Sequence, residues 1–254
     1  MIFIVCLNET WIEINTFPNR LIDLQSNISI LGEKSTIISS INFWLVDSKI
    51  YSIFIGYRGF GFNLRYYDFG KFNYQSDIPS DENFLSFSPF SIYTSIGKSF
   101  QVEKNVSMGF SLGYYENRVL DEIKSSPFLS IFSNINVFER LKFMFMLENF
   151  SFKKLFSANQ LELPSILSLG INLQLNKFSF ISGINRYYKF EKFIGFEYGL
   201  ENLALGIVYT PDYDYSKIST LFRLKYKKLT IGYKAYIPNY LNFTNTISVA
   251  YETP

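Results

Sequence analysis

Bulky apolar residues alternate with Ser, Gly, Asn and Thr along much of this chain. Val106-Ser107-Met108-Gly109-Phe110-Ser111-Leu112-Gly113-Tyr114 shows the pattern, and 167–175 and 241–251 repeat it. A two-residue period puts every second side chain on one face of a strand. One face is then apolar and aromatic, and the other is small and polar. Strands of about 10 residues with that contrast suit a wall with lipid outside and water inside.

The same pattern predicts strands near 36–46, 49–57, 60–68, 86–97, 105–115, 127–138, 141–152, 165–175, 177–186, 192–200, 202–210, 217–227, 229–237 and 241–252. Short connections fall at Arg58-Gly59, Glu139-Arg140, Asn176, Glu201 and Lys227-Lys228. Longer ones fall at 69–85, 116–126, 153–164, 187–191 and 211–216, so short and long alternate; only 98–104 is awkward, being long for a short turn. An up-and-down barrel has short turns at one rim and long loops at the other. A Greek-key sandwich has no reason to follow that rule. The expected fold is all-β: an up-and-down antiparallel transmembrane β-barrel of about 14 strands, within a range of 12–16. The short-turn rim would be periplasmic and would carry both termini.

Residues 36–254 make up the expected barrel, and 1–35 are left as an N-terminal segment. Phe17-Pro18-Asn19-Arg20-Leu21 reads as a turn, followed by a short strand near 26–31. The segment would enter the lumen or add an extra strand. Met1-Ile2-Phe3-Ile4-Val5-Cys6-Leu7 is apolar without a basic n-region. It reads as a displaced or trimmed start, as the tail of a longer signal, or as a lipoprotein signal with Cys6 acylated; Val5 is large for the last reading.

Alternation also assigns faces. Tyr51, Ile53, Ile55 and Tyr57 point one way, as do Phe60, Phe62, Leu64 and Tyr66. This is the expected lipid face. Tyr57, Tyr66, Tyr114, Tyr198, Tyr209, Tyr226, Tyr233 and Tyr251 lie on it, and rings with a polar tip favour the membrane–water boundary. They form the expected aromatic girdle, with Trp11 and Trp44 as further anchors or core residues. Asn245 breaks this face in the last strand. Arg65, Glu148, Glu197, Arg223, Lys225 and Lys234 sit mid-strand on the other face. An Arg or Lys facing lipid near the midplane costs about 2–4 kcal/mol, so these six are expected to face the lumen as a charge network. They would line a narrow polar pore or, with buried charges paired, plug the barrel. Gly195 and Gly199 flank Glu197 and leave room for long neighbours.

Composition narrows the function. The 254 residues carry a net charge of +2, which gives no nucleic-acid signal. Aromatic residues make up 19%, with 28 Phe and 19 Tyr, yet mean hydropathy is only +0.07. No apolar run is long enough for a membrane helix. The absence of histidine excludes imidazole chemistry, and a lone Cys6 excludes an internal disulfide. There is no P-loop, no dinucleotide fingerprint and no Gly-x-Ser-x-Gly. Asp77, Asp81, Glu82, Asp212 and Asp214 lie in predicted loops, but their spacing matches no defined calcium loop. No cofactor and no metal site are expected.

The order of elements from Phe60-Gly61-Phe62-Asn63-Leu64-Arg65-Tyr66-Tyr67-Asp68-Phe69-Gly70-Lys71-Phe72 carries a resemblance. An acidic loop follows, then Phe90-Ser91-Ile92-Tyr93, a Gly97-Lys98-Ser99-Phe100 turn and Met108-Gly109-Phe110-Ser111-Leu112. This resembles the PorV-like branch of the FadL-type outer-membrane barrels, over about the first half of the chain. Members also carry a small-residue N-terminal segment and an Asn-Pro-Ala-Gly-type turn; here Phe17-Pro18-Asn19-Arg20-Leu21 stands near that place. The resemblance implies about 14 strands and a bacterial outer-membrane location. Its members serve as transporters, as secretion-shuttle components or in unknown roles. The expected function is non-catalytic: passive transport or secretion support, with outer-membrane lipid and other envelope proteins as partners. A structural barrel or surface anchor without flux is the alternative, and a soluble all-β binding domain is a third.

Overall fold

Alternating strands become a wall when each pairs on both sides and the last meets the first. The computed structural model describes residues 35–43, 48–74, 85–120, 122–151, 165–186, 190–211, 217–238 and 244–253. Residues 1–34, which include Trp11 and Cys6, lie outside this set, as do Trp44, Asp77, Asp81, Glu82, Asp212 and Asp214. The described strands are β1 (Ser35–Phe43), β2 (Lys49–Tyr57), β3 (Phe60–Asp68), β4 (Phe72–Tyr74), β5 (Leu85–Phe87), β6 (Phe90–Glu103), β7 (Val106–Val119) and β8 (Glu122–Phe138). The rest are β9 (Leu141–Ser151), β10 (Ile166–Leu175), β11 (Phe178–Arg186), β12 (Phe190–Gly199), β13 (Leu203–Thr210), β14 (Lys217–Tyr226), β15 (Leu229–Pro238) and β16 (Thr244–Thr253). Fourteen of them close a barrel in the order β1-β16-β15-β14-β13-β12-β11-β10-β9-β8-β7-β6-β3-β2, while β4 and β5 form a separate hairpin. Every barrel pair is antiparallel, and β1 closes the wall by pairing with both β16 and β2.

Turn chemistry sets one rim. Arg58 and Gly59 both have positive φ, at 46° and 82°, as a tight two-residue hairpin between right-twisted strands requires. Asn176 and Lys227 supply the left-handed residue in two more tight turns. The described chain ends meet at this rim, where Ser35 pairs with Thr253. The connection expected at 98–104 is in fact Lys104-Asn105, because β6 continues to Glu103. Gly97-Lys98-Ser99-Phe100 is therefore strand and not the turn expected from sequence, with Gly97 opposite Ser111 and Phe100 opposite Met108. The glycine answers a close approach: a methyl group there would lie 2.5 Å from the Phe110 carbonyl oxygen.

The expected long loop 116–126 is also strand. β7 and β8 stay paired up to Val119 and Glu122, and the chain turns sharply through Leu120 at φ 54°. Glu116, Asn117, Arg118, Glu122 and Lys124 read as loop because this part of the hairpin stands beyond the apolar belt. Polar and charged residues stand on both of its faces there, so alternation disappears although pairing continues. Short and long connections thus do not alternate without exception. The long stretch after β3 carries β4 and β5, whose rings Phe72 and Phe87 stack at 5.8 Å.

The outward face is apolar around the circumference. Ile53, Phe62, Leu112, Ile171, Ile207, Phe222 and Ile231 are all exposed in the bare chain. Free energy would not leave that belt in water, and in lipid it lies in its own medium. The fold is a transmembrane β-barrel. Asn245 keeps the outward register opposite Phe43, at the first turn of β16, where the belt ends.

Candidate functional site

The inward face of the wall decides what the barrel holds. Its alternation is not simply polar. Ile38, Phe54, Phe132, Met144, Met146, Ile181, Phe193, Val208 and Ala250 form one buried apolar cluster. Its members come from β1, β2 and β16 on one side and from β8, β9, β11, β12 and β13 on the other. The strands between the two groups contribute none of these residues, so the cluster spans the lumen and does not follow the wall. Ile38 and Met146 have 0% accessible surface. At mid-height the lumen is therefore filled by apolar side chains.

Toward the long-loop mouth, β2, β3, β6, β7 and β8 build a second cluster: Ile50, Tyr67, Phe69, Tyr93, Tyr115 and Phe128. Tyr93 stacks on Phe128 with centroids 4.8 Å apart, and the Arg65 guanidinium lies 5.2 Å from the Tyr93 ring. Tyr115 donates to Ser91 Oγ at 3.0 Å. Phe128 lies across Gly113, the residue facing it on β7; a methyl group at Gly113 would collide with the ring. Phe193 covers Gly183 of β11 in the same way. Glycine on one strand thus seats an aromatic ring from the next. Above these rings the inward side chains turn polar, with Asn42, Asn117, Asn149 and Asn185 all buried.

Glu148 and Asn149 are consecutive and both buried, against the alternation of the rest of β9. A bulge explains this. Asn149 has φ 56°, the β8–β9 register shifts between Leu129 and Ile131, and Asn149 N–H donates to Ser130 Oγ at 3.2 Å. The bulge turns a carboxylate and an amide into the lumen side by side.

Charges gather at the short-turn end, on β12 to β16. Arg223 Nη2 lies 3.3 Å from Glu197 Oε1, and Lys225 Nζ lies 3.2 Å from Glu252 Oε2. Arg223 and Lys225 face a cavity of about 150 Å³ with Ala204, Thr230 and Glu252. β13 separates β12 from β14, and its inward residues there are Ala204 and Gly206, opposite Arg223 and Glu197. Their small size lets the Arg223–Glu197 pair bridge the strand between them. Arg223 and Glu197 are two of the six charged residues read as luminal, and they meet. Arg65 stands over Tyr93, Glu148 sits in the bulge, and Lys234 is buried on β15. Glu252 was missed, because one carboxylate in the last turn of a strand carries no signal without the register.

The tyrosines read as a girdle divide by height. Tyr57, Tyr198, Tyr226 and Tyr251 lie toward the short-turn rim. Tyr66, Tyr114 and Tyr209 lie toward the long-loop side, where Tyr66 packs against Tyr51 at 6.3 Å. Tyr233 is mid-strand, between Phe222 and Ile247, at neither boundary.

No known protein family matches the chain, and no curated protein matches it. Solved structures do. A TodX deltaS2S3 mutant monoaromatic hydrocarbon channel aligns with TM-score 0.63 and 10% identity, over 91% of this chain and 94% of that one. The Pseudomonas putida toluene transporter TodX aligns with TM-score 0.59 and 10% identity, over 90% and 92%. A second structure of that transporter gives 0.55 and 9% identity, over 93% and 95%. At such identity the likeness is one of fold: this chain shares the barrel fold of these structures. Among the described residues no group of His, Cys, Asp and Glu is placed to hold a metal.

Proposed function

We propose that this barrel is a non-catalytic, passive route across a bacterial outer membrane for small apolar solutes of about the size of one aromatic ring. The observation that carries this reading is the apolar cluster spanning the lumen. A water-filled porin keeps its interior polar. Here a solute passing the buried asparagines would meet Tyr93, Tyr115 and Phe128, then the central cluster, then the charged short-turn end. Apolar side chains with few polar groups are what a small hydrophobic ligand needs. The TodX structures share this fold and are named for a monoaromatic hydrocarbon and for toluene, which agrees with the reading. The luminal charges act as structural pairs and do not form a selectivity filter.

Uptake of labelled toluene by cells with a lipopolysaccharide outer leaflet tests this. Cells carrying the chain are expected to take it up severalfold faster than cells without it. Phe132→Gln, which puts an amide into the central cluster, is expected to remove most of the gain. Equal uptake with and without the chain would overturn the reading. It would leave a structural barrel without flux, which the filled lumen also supports.

A further inference from the structure

The outward wall is not uniformly convex. A groove of about 610 Å³ runs diagonally across β8 to β12 on the lipid side. Its floor is low because Ser133 and Ser182 stand where neighbouring outward positions carry Ile or Phe; the backbones of Gly170 and Gly183, paired across β10 and β11, lie between them. Its flanks include Phe143, Phe145, Leu169 and Ile184. The Ser182 hydroxyl donates to the Phe193 carbonyl at 3.2 Å, so it presents no open donor to lipid.

Charge marks one end. Lys192, opposite Ile184, closes the groove on the long-loop side. Arg186 lies diagonally across from it on the same outward face, its guanidinium 5.5 Å from the Phe190 ring. In barrels of this kind the long-loop rim is external. A cation at the edge of an apolar groove, with a flexible stem that reaches head-group height, matches an acyl chain joined to a phosphate.

We infer that this groove holds one acyl chain of an anionic, phosphate-bearing lipid of the outer leaflet, with Lys192 and Arg186 on the phosphate. Charge complementarity selects the occupant, since a zwitterionic lipid presents its own cation beside the phosphate. The site is independent of what passes through the lumen.

Native mass spectrometry of the full chain, released from vesicles of equal phosphatidylglycerol and phosphatidylcholine, tests it. The wild-type barrel is expected to retain one phosphatidylglycerol and no phosphatidylcholine. Lys192→Gln is expected to lower that retention about tenfold, the loss of one charge-assisted contact. Ser182→Phe, which fills the groove, is expected to abolish it while heat-modifiable mobility on gels stays unchanged. Equal retention of the two lipids, or unchanged retention in Lys192→Gln, would overturn the proposal. So would a lipid-free species of twice the mass, which would give the groove to a second copy of the chain.

Discussion

Arg223→Met is expected to destabilise the barrel by about 3 kcal/mol, because it leaves a buried carboxylate without its partner. Glu197 is only 3% exposed, and its Oε1 lies 3.3 Å from Arg223 Nη2. Among the described residues Glu197 Oε2 has no hydrogen-bond partner, so the guanidinium is the contact that compensates the charge. Glu197→Gln removes the charge instead and should cost less, about 1–2 kcal/mol. The double variant should recover most of the loss, since an apolar residue beside a neutral amide leaves no buried charge. Urea unfolding of the protein refolded into vesicles gives the four stabilities. Additive single effects would show that the two side chains do not interact.

Phe222→Arg is expected to cost about 2–4 kcal/mol, while Tyr226→Arg on the same strand should cost about 0–1 kcal/mol. Both side chains point outward, at 43% and 69% exposure. They differ in depth: Phe222 is central, between Leu205 and Tyr233, and Tyr226 is the last residue of β14. In water the two substitutions would be equally mild, so the difference measures the lipid. The same unfolding experiment reads it. Equal small effects would contradict an apolar belt in hydrocarbon.

The wall was legible because one physical rule, a side-chain period of two with lipid on one side, runs through every strand it governs. It failed where the rule stops. The upper β7–β8 hairpin carries polar and charged residues on both faces, so Glu116 to Lys124 showed no alternation and read as loop. Gly97 read as a turn residue because a glycine has two uses, and only the register with Phe110 and Ser111 tells close approach from chain reversal.

The site was half legible. Mid-strand charges had to face inward, since the hydrocarbon excludes them. Inward aromatic residues had no such mark, and the aromatic face was read as lipid-facing throughout. The signal was present in the doublets Tyr66-Tyr67 and Tyr114-Tyr115, where one ring of each pair must turn to the lumen. Tyr67 and Tyr115 are each 1% exposed, whereas Tyr66 and Tyr114 lie in the belt. The central cluster needs the closed topology, because Ile38 and Met146 are brought together only when β1 and β9 stand across one lumen.

Ion conductance of the refolded chain in a planar bilayer tests the filled, apolar lumen most directly. Stable insertion with no porin-like conductance steps is expected, since ions do not cross a plug of Phe, Met and Ile side chains. Large, long-lived open steps in the wild-type protein would contradict it.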